Sequence, residues 1–268
     1  MIDTHAHLDA LDDPHGAIAR ARAAGVGRIV AIASGLASTR ATLALAEDEE
    51  GVAVAAGVHP HQVADGESVE ELAALAGAKV VAIGEIGLDF YRDLSPRDAQ
   101  VRVFRRQLET AARVSKPVAV HARDAHTAML PLIDDWSREM RGALPDGRPL
   151  GVMHYFSGDA ALALRYIELG FVISIHTSVT HPKATQLVDV ARQVPLEHLV
   201  LETDSPYGAP QSHRGKRNEP AYVAAAAEKV AEIKSVTVER VAAITTANAL
   251  VLFGLQIAAS AASGKDGR

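Results

Sequence analysis

Residues 79–85 read KVVAIGE, a short apolar run with a carboxylate directly after it. A run of this kind, bounded by polar residues and too short for a helix, indicates a strand that is buried on both faces. Similar runs recur along the chain, and helical stretches separate them. We predict eight strands, over Ile2–His7, Arg28–Ala33, Gly51–Val58, Lys79–Gly84, Pro117–His121, Leu150–His154, Gly170–Ile175 and Leu196–Glu202.

The stretches between the strands are predicted to be helical. They cover His15–Ala24, Thr39–Glu49, Val69–Ala76, Pro96–Val114, Ala125–Met140, Ala160–Leu169, Pro182–Gln193, Glu219–Lys234 and Val238–Phe253. Strands that alternate with helices are parallel, because each helix carries the chain back to the same end of the sheet. Eight such units predict an α/β fold, a single (β/α)8 TIM barrel with extra C-terminal helices. An open doubly wound sheet is the alternative, but no glycine-rich phosphate loop follows the first strand.

The length of 268 residues fits one such barrel, which typically takes about 250 residues. We predict a barrel domain over residues 1–257 and a disordered tail over residues 258–268, which are mostly small and polar. Hydrophobic residues make up 48% of the chain, enough for a large core. The sequence does not fix an oligomeric state, and a monomer is the expectation.

The composition excludes several classes of protein. The chain has no cysteine, so disulfides, thiolate metal sites and cysteine nucleophiles are excluded, and a reducing compartment fits. No run reaches the roughly 18 apolar residues of a membrane helix, so no membrane partner is expected. The formal net charge of −6 argues against a protein that wraps duplex DNA, so any contact with nucleic acid should be local.

Six side chains that can bind metal fall at the ends of five predicted strands. His5 and His7 lie two residues apart in the first strand, so both face the same side. The others are Glu85, His121, His154 and Asp204. Each one alone is more often a structural residue or a helix cap. Together they occupy the rim where barrel enzymes place their active sites, and they predict a metal centre, because buried charges there would be costly without a cation.

Four histidines and two carboxylates are too many for one tetrahedral zinc and suit two divalent cations roughly 3.5–4 Å apart. We expect His5, His7 and Asp204 to hold one cation, the remaining two histidines to hold the other, and Glu85 to bridge them. Zn, Mn and Mg remain open as the cations. A hydroxide that bridges two cations can attack a phosphate ester, with Asp204 orienting the water and taking its proton. Asp204 and Glu85 are therefore the predicted catalytic residues.

Basic and aromatic residues near the same rim are candidates for substrate binding. Arg214, Lys216 and Arg217 follow the eighth strand of an otherwise acidic chain, which favours phosphate contact over a solvated loop. Aromatic faces near the rim could stack the bases of a single strand. The further candidates are Arg123, His59, His61, Tyr155 and Tyr207. Glu202 is predicted either to support a ligand from behind or to hold a third cation.

Several motifs extend through nearly the whole chain. They are residues 3–9 (DTHAHLD), 57–61 (GVHPH), 82–89 (AIGEIGLD), 121–125 (HARDA), 154–158 (HYFSG), 201–207 (LETDSPY) and 214–220 (RGKRNEP). Together they resemble the TatD family of metal-dependent deoxyribonucleases, within the amidohydrolase-like barrels. The resemblance implies the same six ligands, a metal-dependent DNase that is often a 3′-end exonuclease, and a cytoplasmic setting. Residues 174–182 (SIHTSVTHP) depart from the family pattern, so His176 and His181 either contact substrate or metal or, more commonly, are exposed loop residues.

The expected function is therefore hydrolysis of phosphodiesters, as a 3′-5′ exonuclease on single-stranded DNA ends. The main alternative is a hydrolase of amides or carboxylic esters, such as an aminoacyl-tRNA deacylase, because the same hydroxide can attack a carbonyl carbon. A non-catalytic binding protein on a barrel fold is a second alternative. The complete set of six ligands argues against it.

Overall fold

The computed structural model describes residues 1–63, 69–140, 144 and 147–256, so the tail predicted over 258–268 lies outside the described residues. Each strand pairs in parallel with the next one along the chain. The described part contains the strands β1 (Ile2–Ala6), β2 (Arg28–Ile32), β3 (Val52–Ala56), β4 (Val80–Asp89), β5 (Val118–Arg123), β6 (Gly151–His154), β7 (Phe171–His176) and β8 (Leu199–Glu202).

The ring of strands closes between β8 and β1. Ala6 forms an isolated parallel bridge with Ser205, and the backbone N–H of His7 donates to the carbonyl of Ser205 at 2.8 Å. The N–H of Asp204 donates to the carbonyl of His5 at 2.9 Å. The predicted (β/α)8 barrel is confirmed, and its closure carries Asp204 next to the end of β1.

Helices cover the outside of the barrel. They are α1 (Pro14–Ala23), α2 (Leu36–Asp48), α3 (Val69–Leu75), α4 (Arg97–Arg113), α5 (His126–Met140), α6 (Ala160–Glu168), α7 (Thr185–Gln193), α8 (Val223–Lys234) and α9 (Val238–Phe253). Among the described residues no helix alone is long and apolar enough to cross a membrane, and the pair Pro220–Lys234 and Val238–Phe253, bent by 113°, meets that criterion by length and composition only.

The extra helix α9 closes one end of the barrel. Leu252 and Phe253 at its end pack into a cluster with residues near the starts of strands, among them Ile2 of β1 and Val81 of β4. Burial of these side chains supplies part of the core stability. The opposite end, where the strands finish, is left as the mouth.

Two strands extend at least two residues further than the sequence indicated, and β7 extends one residue further, to His176. β4 continues past Gly84, so Glu85 lies within the strand and not after it. β5 continues past His121, which was predicted to end it. The two extensions pair with each other, with Leu88 opposite Ala122 and Asp89 opposite Arg123. A glycine or a polar residue is a poor marker of a strand end when a neighbouring strand supplies hydrogen bonds beyond it.

Candidate metal centre

All six predicted ligands converge at the mouth, and Glu85 is in the middle of them. Its carboxylate oxygens lie near the ring nitrogens of several histidines, at 3.5 Å from Nε2 of His5, 3.6 Å from Nε2 of His7, 3.5 Å from Nε2 of His154 and 2.7 Å from Nδ1 of His121. The side chain is 2% exposed. A buried carboxylate surrounded by imidazoles is a natural place for cations, because its charge has to be compensated.

Asp204 reaches the same place from the turn after β8. Its Oδ1 lies 3.8 Å from Nε2 of His5, 3.5 Å from Nε2 of His7 and 3.8 Å from Nε2 of His154. Its φ of 62° is in the left-handed region, which costs a non-glycine residue on the order of 1 kcal/mol. The backbone bond to His5 holds this conformation, and the conformation directs the carboxylate over the mouth.

Among the described residues there are three sets of potential ligands, and within each set the ligand atoms lie within 4.8 Å of one another. They are His5 with His7 and Asp204, His5 with Glu85 and His154, and His59 with Glu85 and His121. The first set is the one predicted for the first cation. Glu85 belongs to both of the others, so it reaches the two sides of the centre, as a bridging residue must.

The grouping of the second side differs from the prediction that His121 and His154 share a cation. The ring of His154 stacks on that of His5, with centroids 3.3 Å apart, while the ring of His121 lies 4.8 Å from that of His59. His59 was expected to contact substrate and not metal. Its position beside Glu85, at 3.5 Å from Nε2 to Oε1, makes it a further possible ligand.

The residues present fit a divalent cation. Both ring nitrogens of His5 are buried and have no hydrogen-bond partner within the part of the chain that the structure describes. Such unsatisfied atoms are rare in folded proteins. The separations of 3.5–3.8 Å around His5 Nε2 are too long for hydrogen bonds but close to the roughly 3–3.5 Å between two ligands of one ion. Imidazoles with carboxylates suit Zn and Mn.

The electrostatics of the centre favour added positive charge. Burial would raise the pKa of Glu85, but the surrounding histidines hold that pKa well below its usual range. Burial would lower the pKa of His7, yet the carboxylates of Asp204 and Glu85 raise it to about 9. Burial would also lower the pKa of His121, but the carboxylates of Asp89 and Glu85 raise it to about 9. The carboxylates therefore stabilise added positive charge at the centre, and a cation could supply that charge.

Asp3 fixes the geometry of β1 against β8. It is fully buried, and it accepts hydrogen bonds from the backbone N–H of Thr203 at 2.9 Å and from its Oγ1 at 2.6 Å. Burial raises the pKa of Asp3 to about 8. Sequence analysis did not single out this residue. The signal was present, because Asp3, His5 and His7 alternate and so share one face of the strand.

Asp89 is a second residue that sequence analysis did not single out. Its Oδ2 lies 2.7 Å from Nε2 of His61 and 3.3 Å from Nε2 of His121. It also accepts the backbone N–H groups of Tyr91 and Arg92, so it orders the loop after β4. Burial opposes ionisation, but these bonds lower the pKa of Asp89. The sequence did contain a signal for Asp89, because it follows Glu85 by four residues and residues at that spacing share one face of a strand.

Glu202 lies behind the centre, on the side of His154. Its Oε1 is 3.0 Å from Nδ1 of His154 and accepts the N–H of Tyr155 at 2.8 Å. Burial would raise the pKa of Glu202, but the neighbouring His154 lowers it to about 2. A carboxylate on the far nitrogen of a ligand histidine orients the ring. Among the described residues no set of three possible ligands includes Glu202, so the geometry favours the supporting role over a third cation site.

The histidines that depart from the family pattern have specific contacts. His176 ends β7 and is 6% exposed, so the expectation of an exposed loop residue is wrong for it. Its ring stacks on Tyr155, with centroids 3.6 Å apart, and burial lowers its pKa to about 4. Nε2 of His181 lies 2.8 Å from the carbonyl oxygen of Ala209. The two residues thus shape the loops under Tyr155 and after β8.

The predicted substrate-binding residues surround the mouth but differ in their freedom. Arg217 donates to the carbonyl of Ala10 and pairs with Asp12 at 3.4 Å, so it ties two loops together. Arg214 and Lys216 are exposed, and neither has a side-chain partner in the described part of the chain. The amide of Asn218 donates to the carbonyl oxygens of Thr203 and Tyr207, at 2.8 and 2.7 Å, and holds this loop against the mouth.

The aromatic and histidine candidates lie on two sides of the centre. Tyr207 is 59% exposed, and its ring centroid is 6.0 Å from that of His7. Tyr155 is partly buried, and its Oη is 3.0 Å from Oγ of Ser178. His61 lies at the β4 side, where Asp89 holds it. Arg123 is exposed at the end of β5.

A (β/α)8 barrel with buried histidines and carboxylates at the C-terminal ends of its strands defines a class, the metal-dependent hydrolases. Comparison with protein families narrows this class. The family model described as TatD related DNase matches residues 2–254. The chain therefore belongs to the TatD family of metal-dependent hydrolases, which confirms the family that the motifs indicated.

Similar proteins cover almost the whole chain. The uncharacterized metal-dependent hydrolase YabD of Bacillus subtilis is 38% identical over 260 residues, which is 94% of this chain and 98% of that protein. The 3′-5′ ssDNA/RNA exonuclease TatD of Citrobacter rodentium is 36% identical over 250 residues, 90% of this chain and 91% of that protein. Among solved structures, the TatD homologue YJJV of Escherichia coli K12 has a TM-score of 0.85 and 30% identity, covering 96% of this chain and 98% of its own.

Proposed function

We propose that this chain is a phosphodiesterase that removes nucleotides from the 3′ end of single-stranded DNA, with two divalent cations held at the mouth of the barrel. The observation that carries the proposal is the convergence of four histidines on Glu85 and Asp204, beside exposed basic and aromatic side chains. The substrate class is supported by two relatives named 3′-5′ ssDNA/RNA exonuclease, 36% and 37% identical to this chain.

The ligands of the cations, in this proposal, are His5, His7, Glu85, His121, His154 and Asp204, and His59 is a further candidate on the side of His121. Bound divalent cations, with Mg, Mn and Zn as the candidates, would supply an activated water near neutral pH and would offset charge on the phosphate. Glu85 spans the two sides of the site. Its negative charge, held by the histidines, keeps both sides attractive to cations.

Asp204 is the proposed proton acceptor for the attacking water. Its ion pairs in the described part of the chain all use Oδ1, so Oδ2 is left to receive a proton. It is also 13% exposed, in contrast to the deeply buried Glu85, so water can reach it. A general base has to stand within hydrogen-bond reach of the proton that it takes.

Substrate contacts divide between phosphate and base. Arg123, Arg214 and Lys216 are exposed cations beside the site, and such side chains bind phosphate oxygens. His59 and His61 face the scissile group from the β4 side. Tyr155 and Tyr207 offer aromatic faces on which the bases of a single strand can stack. Arg217 contributes by holding the loop in place.

A chain without cysteine suits a reducing compartment, and we therefore propose that the activity is cytoplasmic.

The test is cleavage of single-stranded DNA that carries a label at either the 5′ or the 3′ end, with Mg or Mn, by the wild-type chain and by Glu85→Ala. We expect stepwise shortening from the 3′ end, and we expect the variant to lose it. Absence of cleavage by metal-loaded wild-type protein would refute the proposal. Hydrolysis of an aminoacyl ester by the same preparation would then favour the deacylase alternative.

A further inference from the structure

A pair of arginine–aromatic stacks stands on the rim beside the site, where β4 and β5 end. The guanidinium carbon of Arg97 lies 4.6 Å from the ring centroid of Phe90, and that of Arg123 lies 4.0 Å from that of Tyr91. The backbone N–H of Phe90 donates to the carbonyl of Arg123 at 2.9 Å, so the two stacks are neighbours. Tyr91 is nonetheless 60% exposed. An exposed aromatic ring backed by a guanidinium is a typical platform for a nucleic acid base.

A groove continues from these stacks along the outer face of α4. It has a volume of 680 Å³, and its lining includes Phe90 and the four arginines Arg97, Arg102, Arg105 and Arg106. These arginines lie along about two and a half turns of one helix, and Arg102 is a surface neighbour of Arg105 and Arg106 at spacings of three and four residues. Asp98 and Glu109 also line the groove, so its arginines alternate with carboxylates.

The ion pairs of this groove leave it available to an anion. Three of the arginines pair with carboxylates, as Arg97 with Asp93 at 3.1 Å, Arg102 with Asp98 at 3.3 Å and Arg106 with Glu70. Exposed pairs of this kind are weak, and a phosphate can compete for the guanidinium. Arg105 is exposed and has no side-chain partner within the described residues. It is therefore the cation of the groove that is most ready to bind.

The position of the groove relative to the site gives a direction for a bound strand. Tyr91 follows β4 and Tyr207 follows β8, and in a ring of eight strands these two are diametrically opposite. Glu85 and Asp204 lie between them. Phe90 is also the residue directly after Asp89, whose carboxylate contacts His61. A strand whose end is held near Tyr207 and the centre would leave the mouth over Tyr91.

We propose that the Tyr91–Arg123 stack and the arginine groove along α4 form a second binding site for single-stranded nucleic acid. This site takes the part of the strand on the 5′ side of the nucleotide that is being removed. A base stacks on Tyr91, and phosphates meet Arg97 and Arg105. The contacts require no particular base, so the site confers a preference for length and not for sequence. The inference rests on the proposed exonuclease function and deepens it.

The test compares kcat/KM for a trinucleotide and for a long, unstructured oligothymidylate. Wild-type protein should prefer the long substrate by about tenfold, because only the long substrate gains one stacked base and one phosphate contact at the second site. In Tyr91→Ala/Arg105→Ala that preference should fall to about twofold or less. Arg105→Glu reverses the charge and leaves the aromatic ring in place. This variant should reduce the preference for the long substrate more strongly at low salt than at high salt.

The matched control is Leu164→Ala/Arg240→Ala, which removes an exposed apolar side chain and an exposed arginine on α6 and α9. It should keep the wild-type preference for length. An unchanged preference in the Tyr91→Ala/Arg105→Ala protein would overturn the second site and would mark the groove as a solvated helix face. If wild-type protein cleaves neither oligonucleotide, the exonuclease proposal itself fails, and that outcome is distinct from loss of the length preference.

Discussion

At the residue scale, Glu85 is the side chain that connects the centre. Its carboxylate lies within 3.6 Å of nitrogens of His5, His7 and three other histidines, namely His59, His121 and His154. Residues that only support a ligand from behind typically change metal affinity by about 10–100-fold. A residue that contacts both sides of the centre should matter more.

We therefore expect Glu85→Gln, which keeps the size of the side chain and removes its charge, to weaken Mn binding by at least about 100-fold. Isothermal titration of the two proteins with Mn measures the difference, and circular dichroism controls for folding. A folded Glu85→Gln protein that binds Mn within threefold of wild type would contradict the central position given to this residue.

Glu202 offers a distinct prediction, because it acts through His154 and touches no substrate. Glu202→Gln should weaken Mn binding by about 10–100-fold, since it no longer fixes the ring of His154 with a negative charge. At saturating Mn most of the activity should return, which a directly catalytic residue would not allow. The measurement is activity as a function of Mn concentration. Loss of kcat that excess Mn does not restore would instead make Glu202 part of the chemistry.

At the element scale, the extension of β4 beyond Gly84 depends on glycine. Gly87 has a φ of 147°, and a Cβ built there would overlap the carbonyl oxygen of His121. A Cβ at Gly84 would lie 2.6 Å from Cβ of Ala119. The close approach of β4 to β5 brings Glu85 to His121, so these glycines are part of the construction of the centre.

Gly87→Ala should therefore destabilise the protein by on the order of 3 kcal/mol and also weaken metal binding, because the clash displaces the strand that carries His121. Urea unfolding measures the free energy, and Mn titration measures the affinity. Gly25→Ala is the matched control, since Gly25 also has a positive φ, of 82°, but open space around it. It should cost only about 1 kcal/mol and leave Mn affinity intact. Equal effects of the two changes would argue against the clash.

The loop after β8 carries one arginine with a structural role, Arg217, and two exposed cations, Arg214 and Lys216, that have no side-chain partner among the described residues. Arg214→Ala/Lys216→Ala should weaken binding of single-stranded DNA and reduce its slope against salt by about 1.4, the value for two lost phosphate contacts. Arg217→Ala should leave that slope nearly unchanged, because Arg217 pairs with Asp12 and ties two loops together. Fluorescence anisotropy at several salt concentrations provides the data. A larger loss of slope in Arg217→Ala than in the double variant would reverse these roles.

The sequence predicted elements better than their ends. Short apolar runs separated by helices were enough to place eight strands, because strands buried on both faces have a distinctive composition. The end of β4 was missed because the pattern stops at Gly84, whereas the hydrogen bonds that extend it come from β5. The ladder between strands far apart in sequence is a tertiary effect, and local composition does not record it.

At the scale of the whole molecule, the ring order brings residues as far apart in sequence as His5 and Asp204 to one rim. The candidate ligands could be named from the sequence, since histidines and carboxylates follow so many strands, and their binding of metal stays a prediction. How these side chains group around Glu85 was not predictable, because the separation across the ring depends on strand tilt and side-chain rotamers. His59 is the clearest example. Its sequence position suggested a substrate contact, and its neighbours Glu85 and His121 make it a possible ligand.

Charge is also distributed at this scale. The chain is acidic overall, with a net charge of −6, and exposed arginines lie along α4 and after β8 as well as on other helices, such as Arg20 on α1 and Arg138 on α5. A net negative charge repels nucleic acid from most of the surface, and exposed cations at the mouth, such as Arg123 and Arg214, provide local attraction. In the proposed function, this pattern suits contact with a single-stranded end and argues against the wrapping of a duplex.

The central claim is that the mouth of the barrel holds two divalent cations through Glu85, and the most direct measurement is the number of Mn ions bound per chain. Equilibrium dialysis of metal-stripped protein against Mn gives that number for wild type and for Glu85→Ala. The account predicts two ions in the wild-type chain and no ion held at comparable affinity in the variant. A wild-type chain that binds no Mn, or a variant that still binds two ions with unchanged affinity, would contradict it.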